Sequence, residues 1–305
     1  MSTGRLVIVT GKGGVGKTTV AAALAAAAAE EGQRALLLEI ARPGRLASVL
    51  GTSPLESEPR EIRSNLSAAE LDEELCIRSL IQKLVPIRML SERLLSSRSF
   101  QVLCAAIPGF LEAALLNRVR QYVERTTAGV SDFDLVVLDA PASGHSVPLL
   151  AAPRSLANLS LLGPLAETLR RTDQLMNDPA RTAVAVVAIP EDWAVAEARE
   201  LRGALAALQI PLLPPILNRV WPRRFTQNEE RALNAAREDD SIDPSLLLAG
   251  DLFRFHRLQA QEAARQLKQD AGERPLELPL LFGEGMALSD LVPLQVLLRS
   301  LVIHA

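Results

Sequence analysis

Residues 11–19, Gly-Lys-Gly-Gly-Val-Gly-Lys-Thr-Thr, constrain this chain more than any other segment. They fit the spacing G-x-x-x-x-G-K-[ST], and the flanking sequence matters as much as the match. In front, Leu6-Val7-Ile8-Val9-Thr10 is a short apolar run, the pattern of a parallel strand buried on both faces. Behind, residues 18–31 are alanine-rich and stop near Gly32, as a helix does. Strand, glycine loop and helix in that order make a phosphate-binding loop. Gly13, Gly14 and Gly16, with Val15 among them, let the backbone turn its N–H groups toward one anion. The helix N-terminus adds partial positive charge. In such a loop Lys17 reaches the β- and γ-phosphates, the Thr18 hydroxyl ligates Mg²⁺ and Thr19 contacts the α-phosphate. The expected ligands are ATP and Mg²⁺.

Ala35 to Ile40 reads as a second strand, which makes the opening a βαβ unit of a parallel sheet. Further strands are expected at Phe133 to Asp139, Thr182 to Ile189, Leu213 to Asn218 and Leu276 to Leu281. Helices are expected over 155–178, 193–208, 226–238, 253–271 and 288–303, with 236–245 the most loop-like stretch. Residues 52–130 have helical periodicity, few strand formers, and punctuation at Pro86 and Pro108. The reading is α/β: one P-loop domain over 1–305, a doubly wound and mostly parallel sheet, with a helical insertion at 52–130. A length of 305 residues suffices for one such core. The net charge of −3 offers no footprint for nucleic acid. The longest all-apolar run, Val20 to Ala29, is too short to span a bilayer, and no signal peptide is evident, so a cytoplasmic protein is expected.

Four apolar residues, Leu135 to Leu138, deliver Asp139 at a strand end, where an acid can hold a water on Mg²⁺. The sequel Asp139-Ala140-Pro141-Ala142-Ser143-Gly144-His145 resembles the second switch of the ArsA family, typically D-T-A-P-T-G-H. The proline comes one place early, but the Asp, Gly and His keep their spacing. Pro108-Gly109-Phe110-Leu111-Glu112 resembles that family's P-G-x-x-E, and Ile189-Pro190-Glu191 its strand-ending P-E. Leu217-Asn218-Arg219 resembles its adenine-reading segment, and Pro279 to Gly285 sits where it places a second adenine loop. The spacing Lys12-Gly13-Gly14-Val15-Gly16-Lys17 resembles the deviant loop of the nucleotide-dimerised ATPases, among them the arsenite-pump and tail-anchored-protein-targeting ATPases, MinD and ParA.

The resemblance implies an ATP hydrolase in which Lys12 crosses a dimer interface to the partner's phosphates, with Lys17 and Asp139 in the catalytic set. It implies that Gly144 senses the γ-phosphate and that Asn218 and Arg219 meet the base. The partner is a second copy or a paralogous ATPase, and a protein client or membrane-protein partner stays open. Two departures stand out. The family's first switch carries D-P-A after the second strand, whereas Ala41 or Arg42 falls there, and Glu39 is the only carboxylate in reach. Cys76 and Cys104 do not reproduce a three-thiolate metalloid site. Leu80, Leu84, Ile87, Leu90, Leu94 and Leu95, then Phe110, Leu111 and Leu115, recur at near-helical spacing. They form either a client groove or a core-packing stripe. Leu291 to Ile303 reads as a core helix rather than a membrane-surface one, having Arg299 as its only basic residue. Two alternatives remain beside the ATPase: a nucleotide-gated binding protein with little turnover, and a chaperone for hydrophobic membrane-protein segments.

Overall fold

The computed structural model describes residues 4–40, 44–84, 97, 106–159, 163–235, 244–282 and 287–304. Strand β1 spans Arg5–Gly11 and helix α1 Lys17–Glu30. β2 (Ala35–Ile40) and α2 (Arg45–Leu50) follow, then β3 (Arg60–Arg63), β4 (Leu66–Leu71) and α3 (Glu73–Leu84). Next come α4 (Phe110–Val123), the short β5 (Thr126–Thr127) and β6 (Val130–Ser131), and β7 (Leu135–Ala142). The alternation continues with α5 (Ser143–Ala157), α6 (Pro164–Asn177), β8 (Thr182–Ala188) and α7 (Asp192–Ala207). β9 (Ile216–Val220), α8 (Gln227–Ala235), α9 (Pro244–Ala271), β10 (Leu276–Pro279) and α10 (Val292–His304) close the order.

Among the described residues, eight strands form one sheet in the order β10-β9-β8-β1-β7-β2-β4-β3. Every pairing in it is parallel except β3 with β4. β1 lies in the middle, in register with β7 (Ile8 opposite Leu138) and with β8 (Ile8 opposite Val184). Its side chains alternate between two cores. Leu6 and Ile8 join the core that includes α4, while Val7 and Val9 join the core that includes α1 and α10. A continuously apolar strand is the consequence of burial on both faces. α1 is buried on nearly every side, with 11 of its 14 residues inside. Alanine is the best helix former and adds little bulk, so the sheet and α10 both pack closely on it.

The structure differs from expectation in three places. Residues 52–130 are not helical throughout: β3 and β4 lie within them, and β4 pairs with β2 inside the main sheet (Leu37 opposite Ala68). Leu66-Ser67-Ala68-Ala69-Glu70-Leu71 is poor in strand formers, and pairing with β2 overrides its local preference. The helix expected over 155–178 is two helices. α5 begins directly after β7 and holds Pro148 and Pro153 within it, and a break at Gly163 (φ 85°) precedes α6. α9 starts at Pro244, earlier than the expected 253.

Candidate functional site

β1, β2 and β7 end at a common cavity of about 250 Å³, lined by Gly14, Gly16, Lys17, Thr18, Glu39, Ile40, Arg45, Asp139 to Ala142 and His145. The phosphate loop forms its floor. Gly16 has φ +94°, and a Cβ there would lie 2.5 Å from Asn218 Nδ2, so both backbone and space require glycine. Asn218 is buried and donates from Nδ2 to the Val15 carbonyl at 2.8 Å, bracing the loop from β9. Arg219, beside it, is exposed and has φ +59°. Lys17 Nζ donates to the Lys12 carbonyl at 3.0 Å.

The Thr18 hydroxyl donates to Asp139 Oδ2 at 2.6 Å, joining the first turn of α1 to the end of β7. Thr19 is half-buried on the same turn. Glu39 lies opposite Asp139 in the β2–β7 register and opposite Glu70 in the β2–β4 register. Glu39 is 1% exposed. Its Oε1 accepts the Leu46 N–H at 3.0 Å, and its Oε2 has no hydrogen-bond partner among the described residues. Burial pushes its carboxyl up to about 7. The Leu46 hydrogen bond opposes that rise, and the Asp139 and Glu70 charges add to it. Ser143, Gly144 and His145 form the start of α5 at the mouth of the cavity, and Gly144 and His145 are exposed. Nothing lies within 4 Å of a Cβ built on Gly144, so packing in this structure does not demand a glycine there.

The model of the anion-transporting ATPase family matches residues 4–166, more than half of the chain and the whole run from β1 through the second switch. The chain belongs to the anion-transporting ATPase family. ATPase BagA of Mycobacterium tuberculosis is 26% identical over 253 residues, covering 81% of this chain and 74% of that protein. The ATPase ASNA1 homolog of Cryptosporidium parvum is 27% identical over 254 residues, 72% of this chain and 66% of its own length. A putative arsenical pump-driving ATPase of Halobacterium salinarum is 29% identical over 211 residues, 64% of this chain but only 32% of that longer protein.

In this member of the anion-transporting ATPase family, the glycine loop, Asp139 and the residues that follow it converge on one cavity. The Thr18 hydroxyl and Asp139 carboxylate are hard oxygen donors on its wall, a set that suits Mg²⁺ completed by phosphate oxygens and water. Ala41, Arg42 and Pro43 lie outside the described residues, as do Cys104 and Gly283 to Gly285. Cys76 is buried, and burial pushes its thiol up to about 12. Of the near-helical stripe, Leu80, Phe110 and Leu115 are buried in the core and Leu111 packs against it. Ile87, Leu90, Leu94, Leu95 and the Leu84 side chain lie outside the described residues. Among the described residues, no helix is long and apolar enough to cross a membrane. α10 buries Leu294, Leu298 and Leu301 in the core shared with α1.

Two residues near the loop escaped the sequence reading. Glu197 and Trp193 of α7 hold the Lys12 ammonium, with Nζ 2.7 Å from Glu197 and 3.5 Å from the Trp193 ring centroid. Glu197 also accepts a hydrogen bond from the Ser143 hydroxyl. Burial pulls the Glu197 carboxyl upward, but the bonds from Lys12 and Ser143 outweigh it and leave the group below its ordinary range. The available signal was an acid and an aromatic one helical turn apart, just after Ile189-Pro190-Glu191.

Proposed function

We propose that the chain hydrolyses MgATP and couples turnover to the closing and opening of a dimer that acts on a protein or membrane partner. The observation carrying this reading is the 2.6 Å bond between Thr18 and Asp139. It joins the Thr18 hydroxyl of the loop to the acid of β7 in the cavity that Lys17 also lines, which supports a Mg²⁺ site there. Bound there, Mg²⁺ would neutralise charge on the β- and γ-phosphates. Lys17 would move from the Lys12 carbonyl to the phosphates. Glu39, whose Oε2 is buried at the cavity wall, would orient a water in the role that the family gives to its first-switch acid. Gly144, at the start of α5, would offer its N–H to the γ-phosphate. An amide nitrogen has two hydrogens. Asn218 uses one on Val15, and the other is available to a base, with Arg219 alongside. Lys12 would act in trans across the dimer. The whole chain, 1–305, would work as one P-loop ATPase unit in the cytoplasm.

Single-turnover assays on wild type, Lys17→Ala, Asp139→Asn and Glu39→Gln test this. Wild type should turn over. Lys17→Ala should lose nucleotide binding, and Asp139→Asn should still bind ATP but turn over at least about tenfold more slowly. Glu39→Gln should cut turnover by about 10²-fold if Glu39 handles the water. The second reading is a nucleotide-gated binding protein. It is favoured by Ala41 or Arg42 at the first-switch position and by the Glu39 Oε1 already bonded to Leu46. Wild type and Lys17→Ala equally inert, with ATP still assembling the wild type, would establish it instead.

A further inference from the structure

Lys12 sits at the exposed edge of the loop, yet its side chain is not directed outward. It rests on α7, between the Glu197 carboxylate at 2.7 Å and the Trp193 ring at 3.5 Å. These two residues are four apart on one helix, so one face presents an anion and an aromatic surface to the same ammonium. The side chains of Lys12 and Glu197 are 34% and 29% exposed, so the contact is neither sealed nor fully solvated. Both ends of Lys12 are tied to switching parts. Its carbonyl accepts Lys17, the residue that grips phosphate, and its carboxylate partner also accepts Ser143, the first residue of α5.

A lysine seated in this way cannot reach a second molecule until the seat opens. We propose that Glu197 and Trp193 form the resting seat of Lys12, and that two copies of the chain close over nucleotide only when Lys12 leaves it. This rests on the reading of the chain as a nucleotide-driven dimer. Glu197 is here a positioning residue: it acts on the loop lysine and touches no substrate. A half-exposed ion pair plus one cation–π contact shifts an equilibrium by about three- to thirtyfold. That is enough to hold Lys12 in the isolated chain and weak enough for a partner's phosphates to overcome. Ser143 gives the second switch a handle on the same carboxylate. A movement of α5 toward a γ-phosphate would withdraw a hydrogen bond from Glu197 and loosen the seat.

The test is sedimentation of the full chain titrated with Mg²⁺ and ATPγS, for wild type, Glu197→Gln, Trp193→Leu, Lys12→Ala and Lys12→Ala/Glu197→Gln. Thermal melting and binding of a fluorescent ATP analogue control for folding and for the nucleotide site. Glu197→Gln and Trp193→Leu should each assemble at roughly two- to fivefold lower ATPγS than wild type. The double variant should behave like Lys12→Ala, which a merely structural role for Glu197 would not produce. Assembly of Glu197→Gln where wild type stays monomeric supports the seat more strongly still. Wild-type midpoints in both seat variants, with melting and nucleotide binding intact, overturn the seat and leave the dimer standing. Failure of every variant to assemble while nucleotide still binds overturns the dimer reading, and the seat with it. If Glu197→Gln does not fold, Trp193→Leu decides.

Discussion

Glu39 combines a buried position with a carboxyl held above the usual carboxylate range. It is buried at the end of β2, faces Asp139 and Glu70 in register, and makes one backbone hydrogen bond through Oε1. Its carboxyl has an ordinary value of 4.5 and rises to about 7 in the folded chain, chiefly because burial penalises the charged form. Folding therefore favours the proton. The stabilising contribution of neutral Glu39 is present in full below pH 4.5 and is lost as the pH rises through about 7. Glu39→Gln remains neutral throughout and keeps an acceptor for the Leu46 N–H. Relative to wild type it should gain about 2–3 kcal/mol between pH 5 and pH 8.5. Urea unfolding of the metal-free and nucleotide-free proteins at several pH values measures this. A stability difference that stays flat with pH would mean that Glu39 is ionised in the fold, and would remove the basis for its raised value.

At the scale of elements, β4 shows what pairing does to a sequence without strand character. Leu66, Ala68, Ala69 and Leu71 are buried, and β4 bonds β2 on one side and β3 on the other. Its amides should exchange as slowly as those of β2, over hours by mass spectrometry, while those of α8 exchange in minutes. Exchange in 66–71 as fast as in α8 would place β4 outside the cooperative sheet. The same strand shows why part of the fold was legible and part was not. β1, β2, β7 and β8 are apolar enough to be read directly, because a strand buried on two faces has no other composition open to it. β4 at the sheet's flank carries Ser67 and Glu70 at half-buried positions, and alanine elsewhere, so its local pattern resembles a helix. The site divides in the same way. The Thr18–Asp139 contact follows from two motifs whose strands were visible in the sequence. The Lys12–Glu197 contact is made only when α7 folds back beside the loop, and the i,i+4 spacing of Trp193 and Glu197 does not by itself point to Lys12. Asn218 is expected from the sequence to meet the base, whereas its bond to Val15 could not be read there, because that depends on β9 ending level with the loop.

For the molecule as a whole, stability depends on how closely α1 is packed between the sheet and α10. α1 follows Gly16, and the Val20 N–H bonds the Gly16 carbonyl at 3.0 Å, so a shift of the helix would move the loop. Its alanine surface cannot hold it by reach. It needs close neighbours on both sides, and α10 supplies one with Leu294, Leu298 and Leu301. Arg299 adds ion pairs to Glu30 and Glu31 at the far end of α1, which count for little at that exposure. Leu298 has 0% exposure, so Leu298→Ala should cost about 2–5 kcal/mol, depending on how far the site collapses. The fluorescent ATP analogue should bind the folded variant within about threefold of wild type, because the Thr18–Asp139 and Asn218–Val15 bonds still locate the loop. MgATP at a hundred times its Kd should then restore about 2.7 kcal/mol to the variant, as to wild type. Denaturant curves with and without nucleotide separate these terms. A loss under about 1 kcal/mol would mean that α10 is not part of the core. A helix that loosely placed would be open to a membrane surface or a partner, contrary to the packing found here. A large loss of nucleotide affinity in the folded variant would instead make α10 the element that sets the loop.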